Sequence, residues 1–257
     1  MSASTVTVTA AGDEHPRPGS IAILREIADT LRPRAATADG VLPPLMVLLT
    51  IVTGVVDAVA YLRLGHVFVA NMTGNVVFLG FSAAGAPGLS VVGSLIAIAC
   101  FLPGGVLAGR LAARVDNRVG QLRAATAIQL LLVACAVPIA AISGDRIDAG
   151  SRYALIVLLA LAMGVQNATA RRLAVPDLTT TVLTLTLTGI AADSQLGGGT
   201  GANTGRRLLS VAAMLLGATV GAVLVLKVAP VASLVLAAAI LALICLAAHR
   251  AIATTAS

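Results

Sequence analysis

From Leu64 to Gly109 the chain carries no charged side chain, His66 aside. Further uncharged runs occupy 124–144, 153–170, 178–192, 208–226 and 228–249. A helix needs about 20 apolar residues to cross the hydrocarbon core of a bilayer. Runs of this kind predict an all-α, polytopic membrane bundle. Composition agrees, with 58% of residues apolar and 11% charged, against about 25% charged in soluble domains. A small globule in water has too little interior to hide that much apolar surface. A soluble enzyme, a nucleic-acid-binding domain and a disordered chain are thereby excluded. The formal charge of +6 does not point to nucleic acid, because aromatics are 2% and Trp is absent, which leaves no platform for stacked bases.

Eight apolar segments can be drawn, at 44–63, 66–82, 89–109, 123–143, 152–170, 177–192, 207–226 and 230–249. The second and sixth are short and polar, with Asn71, Thr73 and Asn75 in one and six threonines in the other. If all eight crossed, the loop with Arg110, Arg114, Arg118 and Arg123 would face outward, against the positive-inside rule. If the second and sixth are broken or re-entrant, that loop faces the cytoplasm, as do Arg171, Arg172, Arg206, Arg207 and Arg250. The expectation is about six full crossings plus two short or broken segments, with both termini cytoplasmic. Residues 1–43 are read as a polar tail. In it, Ser20 can cap an interfacial helix whose Ile23, Leu24, Ile27 and Leu31 share one face. Residues 44–250 are the membrane domain and 251–257 a short cytoplasmic tail.

The two halves match each other. Residues 54–60 read GVVDAVA and residues 164–170 read GVQNATA, with Asp57 opposite its isostere Asn167. Met72-Thr73-Gly74-Asn75 falls opposite Leu183-Thr184-Leu185-Thr186, and Leu89-Ser90-Val91 opposite Leu209-Ser210-Val211. Matches in the same order point to duplication, with repeat one at about 44–143 and repeat two at about 152–249. Three crossings per half make the repeats inverted, a recurring transporter plan with a site where broken segments meet near mid-membrane.

The same residues resemble a known family. Gly54-Val55-Val56-Asp57-Ala58 through Tyr61, followed by Val69-Ala70-Asn71-Met72-Thr73-Gly74-Asn75, are similar to the hallmark of the YoaK family of bacterial inner-membrane proteins, assigned to a domain of unknown function. The second half agrees at Gly164 to Asn167, Arg171-Arg172, Val175-Pro176-Asp177-Leu178 and the threonine run from Thr179. The resemblance covers roughly residues 44–250. It implies about six membrane helices and a bacterial cytoplasmic-membrane location, and it implies no activity.

Candidate site residues follow from the cost of polarity in hydrocarbon. Asp57 is the acid well inside an apolar helix, where a carboxylate costs about 2.5–3.5 kcal/mol on the mildest insertion scale. It is read as a binding or proton-coupling acid, or else as a neutral acid bridging helices. Tyr61, four residues on, shares its face and can donate a hydrogen bond. Asn71, Thr73, Gly74 and Asn75 supply amides, a hydroxyl and a flexible step at Gly74, either as solute ligands or as close-packing contacts. Gln166 and Asn167 can complete a polar site across the repeat axis, or clamp helices. Thr180, Thr181, Thr184 and Thr188 put hydroxyls on one helix face, as a polar lining or bonded back to their own helix. Asp177 is read as a helix N-cap, and Arg171 and Arg172 as interfacial anchors, or else as a gate or as partners of an anionic substrate. Cys100, Cys135 and Cys245 are read as small buried hydrophobes.

No metal-spaced His/Cys set, HExxH or GxSxG occurs, so neither enzyme activity nor a cofactor is expected. The leading expectation is a carrier or channel for a small solute. The alternative is a non-transporting scaffold that binds lipid or a partner protein. Membrane lipids and an unidentified solute are the expected partners, a homo-oligomer is compatible, and nucleic acid is not expected.

Overall fold

The computed structural model describes residues 20–33, 40–144, 146–178, 180, 183–194, 197–199 and 203–255. Among them are α-helices and no strands: α1 (Ser20–Leu31), α2 (Leu42–Arg63), α3 (Met72–Ala83), α4 (Val91–Ala112), α5 (Arg118–Ser143), α6 (Ala149–Leu173), α7 (Leu183–Ala192), α8 (Thr204–Lys227) and α9 (Pro230–Thr255). Six of them, α2, α4, α5, α6, α8 and α9, are long and apolar enough to cross a membrane. The other two within the apolar region, α3 with 12 residues and α7 with 10, are shorter. At about 1.5 Å per residue they reach about 18 and 15 Å, well under the roughly 30 Å of a hydrocarbon core. The short segment expected at 66–82 therefore becomes a non-helical entry at 67–71 followed by a half-length helix, and the one expected at 177–192 contains the half-length helix α7.

Polar residues cap several of the long helices. Ser90 Oγ accepts the Gly93 N–H at 3.0 Å, and Asn117 Oδ1 accepts the Gly120 N–H. Asp148 Oδ2 accepts from Gly150 at 2.8 Å and from Ser151 at 3.2 Å. Hydrogen bonds from the Ser151 side chain and backbone hold the Asp148 carboxyl below the ordinary aspartate range.

α2 packs along α8 and α9 and touches α6; α6 packs along α4 and α5; α5 packs along α9. α3 lies on α4, and α7 on α8. Exchanging α2 with α6, α3 with α7, α4 with α8 and α5 with α9 leaves these neighbours unchanged. The α2–α8 and α4–α6 crossings are both made by glycine. A Cβ on Gly54 would lie 2.6 Å from the Met214 carbonyl oxygen, and one on Gly164 would lie 2.1 Å from that of Phe101. Close backbone approach through small residues is how membrane helices gain dispersion contacts that lipid cannot match.

Polar contacts gather several helix ends at one end of the bundle. Arg118 donates to the Leu173 carbonyl, and Arg123 Nη1 lies 3.2 Å from His249 Nδ1. Glu26 accepts the Gly205 N–H at 3.1 Å and the Arg206 N–H at 3.3 Å, while Arg206 Nε reaches Thr30 Oγ1 at 3.4 Å. α1, the starts of α5 and α8 and the ends of α6 and α9 therefore share an end, and it is the arginine-rich one.

One expectation is revised here, at the cysteines. The described side chains of α1 differ in burial. Ile23 and Ile27 are half-buried and Thr30 is buried, but Leu24 and Leu31 are exposed. The reason is that Glu26 seats its carboxylate on the positive N-terminus of α8, so the face bearing Glu26 docks. Cys135 is exposed rather than buried, and Cys100 and Cys245 are half-buried. The outer surface of a membrane bundle meets lipid, so an apolar thiol gains little from burial there.

Candidate functional site

Thr53, Asp57 and Tyr61 recur every four residues along α2 and so line one helix face. The chain leaves α2 at Leu64, runs without helix through 67–71, and turns into α3 at Met72. Backbone in that stretch has no helical partners, and at membrane depth its donors must be met by protein. Asp57 meets two of them. Its Oδ1 accepts the Val69 N–H at 2.9 Å and the Ala70 N–H at 3.0 Å. Among the described residues Oδ2 has no hydrogen-bond partner, and Asp57 lines a cavity of about 470 Å³.

Tyr61, Phe68, Asn71, Thr184 and Met214 share that cavity with Asp57. Tyr61 does not hydrogen-bond Asp57. Its ring stacks on Phe68 at 5.2 Å and meets His66 edge-on at 5.1 Å. Asn71 holds the N-cap position of α3, but its side chain makes no cap bond and borders the cavity instead. Leu183 and Thr184 come from the first turn of α7. The N-cap residue of α3 and the first described residues of α7 thus border the cavity of the intramembrane acid.

The other expected ligands are placed elsewhere. Asn75 is fully buried and grips the Phe68 backbone, accepting its N–H at 2.9 Å and donating to its carbonyl at 2.6 Å. Gly74 is not a break point. It lies inside α3, where a Cβ would come within 2.7 Å of the Phe68 ring, so its smallness admits that ring. Thr73 is exposed and lies outside the cavity. Thr181 falls outside the described residues. Gln166 is fully buried behind the cavity, where Nε2 donates to Thr53 Oγ1 at 2.6 Å and to the Leu49 carbonyl at 3.2 Å.

Asn167 does not join Gln166 at a shared site. Adjacent residues on a helix point about 100° apart, and only Gln166 faces α2. Asn167 donates to the Met163 carbonyl at 2.9 Å and lines a second cavity of about 480 Å³ with Phe101, Gly164, Arg171 and Thr180. Asp177 is not a helix cap either. It accepts from Arg207 Nε at 2.7 Å, and Arg207 Nη1 also reaches Gly189 O at 2.6 Å and Asp193 at 2.7 Å. That network ties the stretch before α7 and the end of α7 to the start of α8. Among the described residues no three of His, Cys, Asp and Glu gather as metal ligands.

Sequence reasoning missed Thr53 and Phe68. Thr53 could have been found from its four-residue spacing to Asp57. Phe68 carries no local signal, because its place depends on where α3 begins. The Asn75 grip gives a direct prediction. Asn75→Leu leaves the Phe68 N–H and carbonyl unpaired, at about 1–3 kcal/mol for each group. A clear drop in the thermal midpoint in detergent is the expected result, and an unchanged midpoint would show that the grip is dispensable.

Comparison with known proteins places these residues in context. Residues 45–247 match the profile of a family described as protein of unknown function (DUF1275). The transmembrane protein YoaK of Bacillus subtilis (strain 168) is 34% identical over 160 residues, covering 58% of this chain and 65% of that protein. The chain therefore spans just under two thirds of that relative's length. No solved structure matches it.

Proposed function

The chain belongs to the DUF1275 family, and from that premise we propose that it is an inner-membrane carrier or channel for a small solute, with Asp57 as its binding or coupling acid. One observation carries this reading. Asp57, the α3 N-cap residue Asn71, and Leu183 and Thr184 of α7 border a single cavity of about 470 Å³. Half-helix N-termini present positive dipole ends, and discontinuous helices of this kind form the midplane sites of many transporters. Asp57 keeps one carboxylate oxygen for a solute cation or a proton while the other secures the broken backbone.

Two inverted repeats are part of the proposal. Gly54 meets Met214 and Gly217 as Gly164 meets Phe101 and Gly104, and the neighbours of each helix exchange with the halves. The arginine-rich end is assigned to the cytoplasm. In intact spheroplasts, in a background lacking Cys100, Cys135 and Cys245, a cysteine at Ala84 is expected to react with an impermeant reagent and one at Asp116 to be protected. The reverse pattern would put the arginine-rich end outside and overturn its assignment to the cytoplasm.

The function itself is tested with purified protein in liposomes. Amino acids, amines, organic acids and inorganic cations are offered under imposed proton and ion gradients. Internal pH and labelled solute are followed. Movement of at least one class above protein-free vesicles is expected, and none across the panel would sink the carrier reading. The second reading, a non-transporting scaffold, is favoured by Asn75 and Gln166, whose amide nitrogens are engaged with protein groups. It would then take the first place.

A further inference from the structure

We propose that the second cavity is a binding site for an oxyanion group, carboxylate or phosphate. The cavity, about 480 Å³, lies between α4, the C-terminal half of α6 and the residues Ala174, Val175, Leu178 and Thr180. Its charged lining residue is Arg171, and no acidic residue borders it. Among the described residues no carboxylate pairs with Arg171. The last turn of α6 favours a cation there, but a helix dipole does not occupy the five N–H donors of a guanidinium.

A second observation points the same way. Thr180 borders the cavity with 1% of its surface exposed, and its hydroxyl has no hydrogen-bond partner among the described residues. Buried hydroxyls are ordinarily paired. A planar guanidinium and a buried, unpartnered hydroxyl on residues that border one space, with no carboxylate bordering it, match the oxygens of a carboxylate or phosphate. Phe101, Leu178 and Ala168 supply an apolar wall, and Arg171 itself is exposed.

The comparison with the Asp57 cavity sharpens the assignment. In the register that sets Gly54 against Gly164, Asp57 corresponds to Asn167 and Tyr61 to Arg171. The same frame thus carries an acid in one half and a base in the other. The oxyanion site is separate from the Asp57 cavity and stands whether or not the chain transports.

The test uses the full chain. Helix melting is followed by circular dichroism in neutral detergent with propionate or inorganic phosphate, each against chloride at equal ionic strength. A second arm uses nanodiscs of phosphatidylcholine with and without phosphatidylglycerol. A raised midpoint with the soluble anions supports the site and identifies a free solute. A raised midpoint with phosphatidylglycerol alone supports it and identifies a lipid headgroup. Arg171→Gln is expected to weaken the effect by about tenfold to a hundredfold, the range for losing a charge-assisted bidentate pair. Arg172→Gln makes the same change in net charge one residue on and is expected to leave binding intact. Thr180→Val removes the spare hydroxyl without touching the charge and is expected to weaken binding in a folded protein. No shift in either arm, or equal loss in Arg171→Gln and Arg172→Gln, would overturn the assignment.

Discussion

Asp57→Asn protein is expected to fold and to lose coupled solute movement, whereas Asp57→Leu protein is expected not to accumulate. The two variants separate the two jobs of one carboxylate. Asparagine keeps an oxygen that can accept the Val69 and Ala70 N–H groups, so the non-helical entry to α3 stays satisfied. It removes the charge, and with it any proton or cation exchanged at the open oxygen. Leucine removes the acceptor as well. Each orphaned N–H costs about 1–3 kcal/mol, so the pair consumes a large part of a stability that is typically about 5–15 kcal/mol. Coupled flux in liposomes at the wild-type rate with Asp57→Asn would take the charge out of the mechanism. Normal accumulation of Asp57→Leu, read by size-exclusion elution, would show that the backbone clamp is not needed.

The second large effect lies at the helix crossings. Gly164→Ala is expected to abolish a folded, monodisperse protein, and Gly54→Ala to do nearly the same. The added Cβ would meet the Phe101 carbonyl oxygen at 2.1 Å in one case, and the Ala218 nitrogen at 2.5 Å in the other. These are backbone atoms that cannot rotate away, so the helices must separate. Overpacking in a core costs typically about 1–3 kcal/mol, and separation also forfeits the close contacts that hold membrane helices together. Gly109→Ala is the control. Nothing lies within 4 Å of a Cβ there, and alanine is better than glycine in a helix by about 1 kcal/mol. Gly164→Ala protein that elutes and melts like wild type would mean that the α4–α6 crossing is looser than described.

Asp57 and Asn75 show what could be read before the fold was known. Asp57 stood out because it is an acid in an apolar run, a purely local property. Asn71 and Asn75 carry the same side chain four residues apart, yet one borders the cavity and the other grips Phe68. The difference arises because α3 starts at Met72, which leaves Asn71 at the helix mouth and turns Asn75 inward. Gln166 and Asn167 differ for a related reason, since neighbours on a helix face different partners. Asp177 looks like a cap on local grounds, but its partner, Arg207, lies 30 residues away.

The sequence by itself determined the solvent, the number of long spans, the two half-length interruptions and the charged end. Each of these depends on the length and polarity of a contiguous stretch, and transfer into hydrocarbon is summed along the chain. Tertiary structure alone decided which polar groups meet. A buried donor must find its acceptor across space, so the cavity of Asp57, the grip of Asn75 and the separate setting of Arg171 exist only once α2, α3, α6 and α7 are packed.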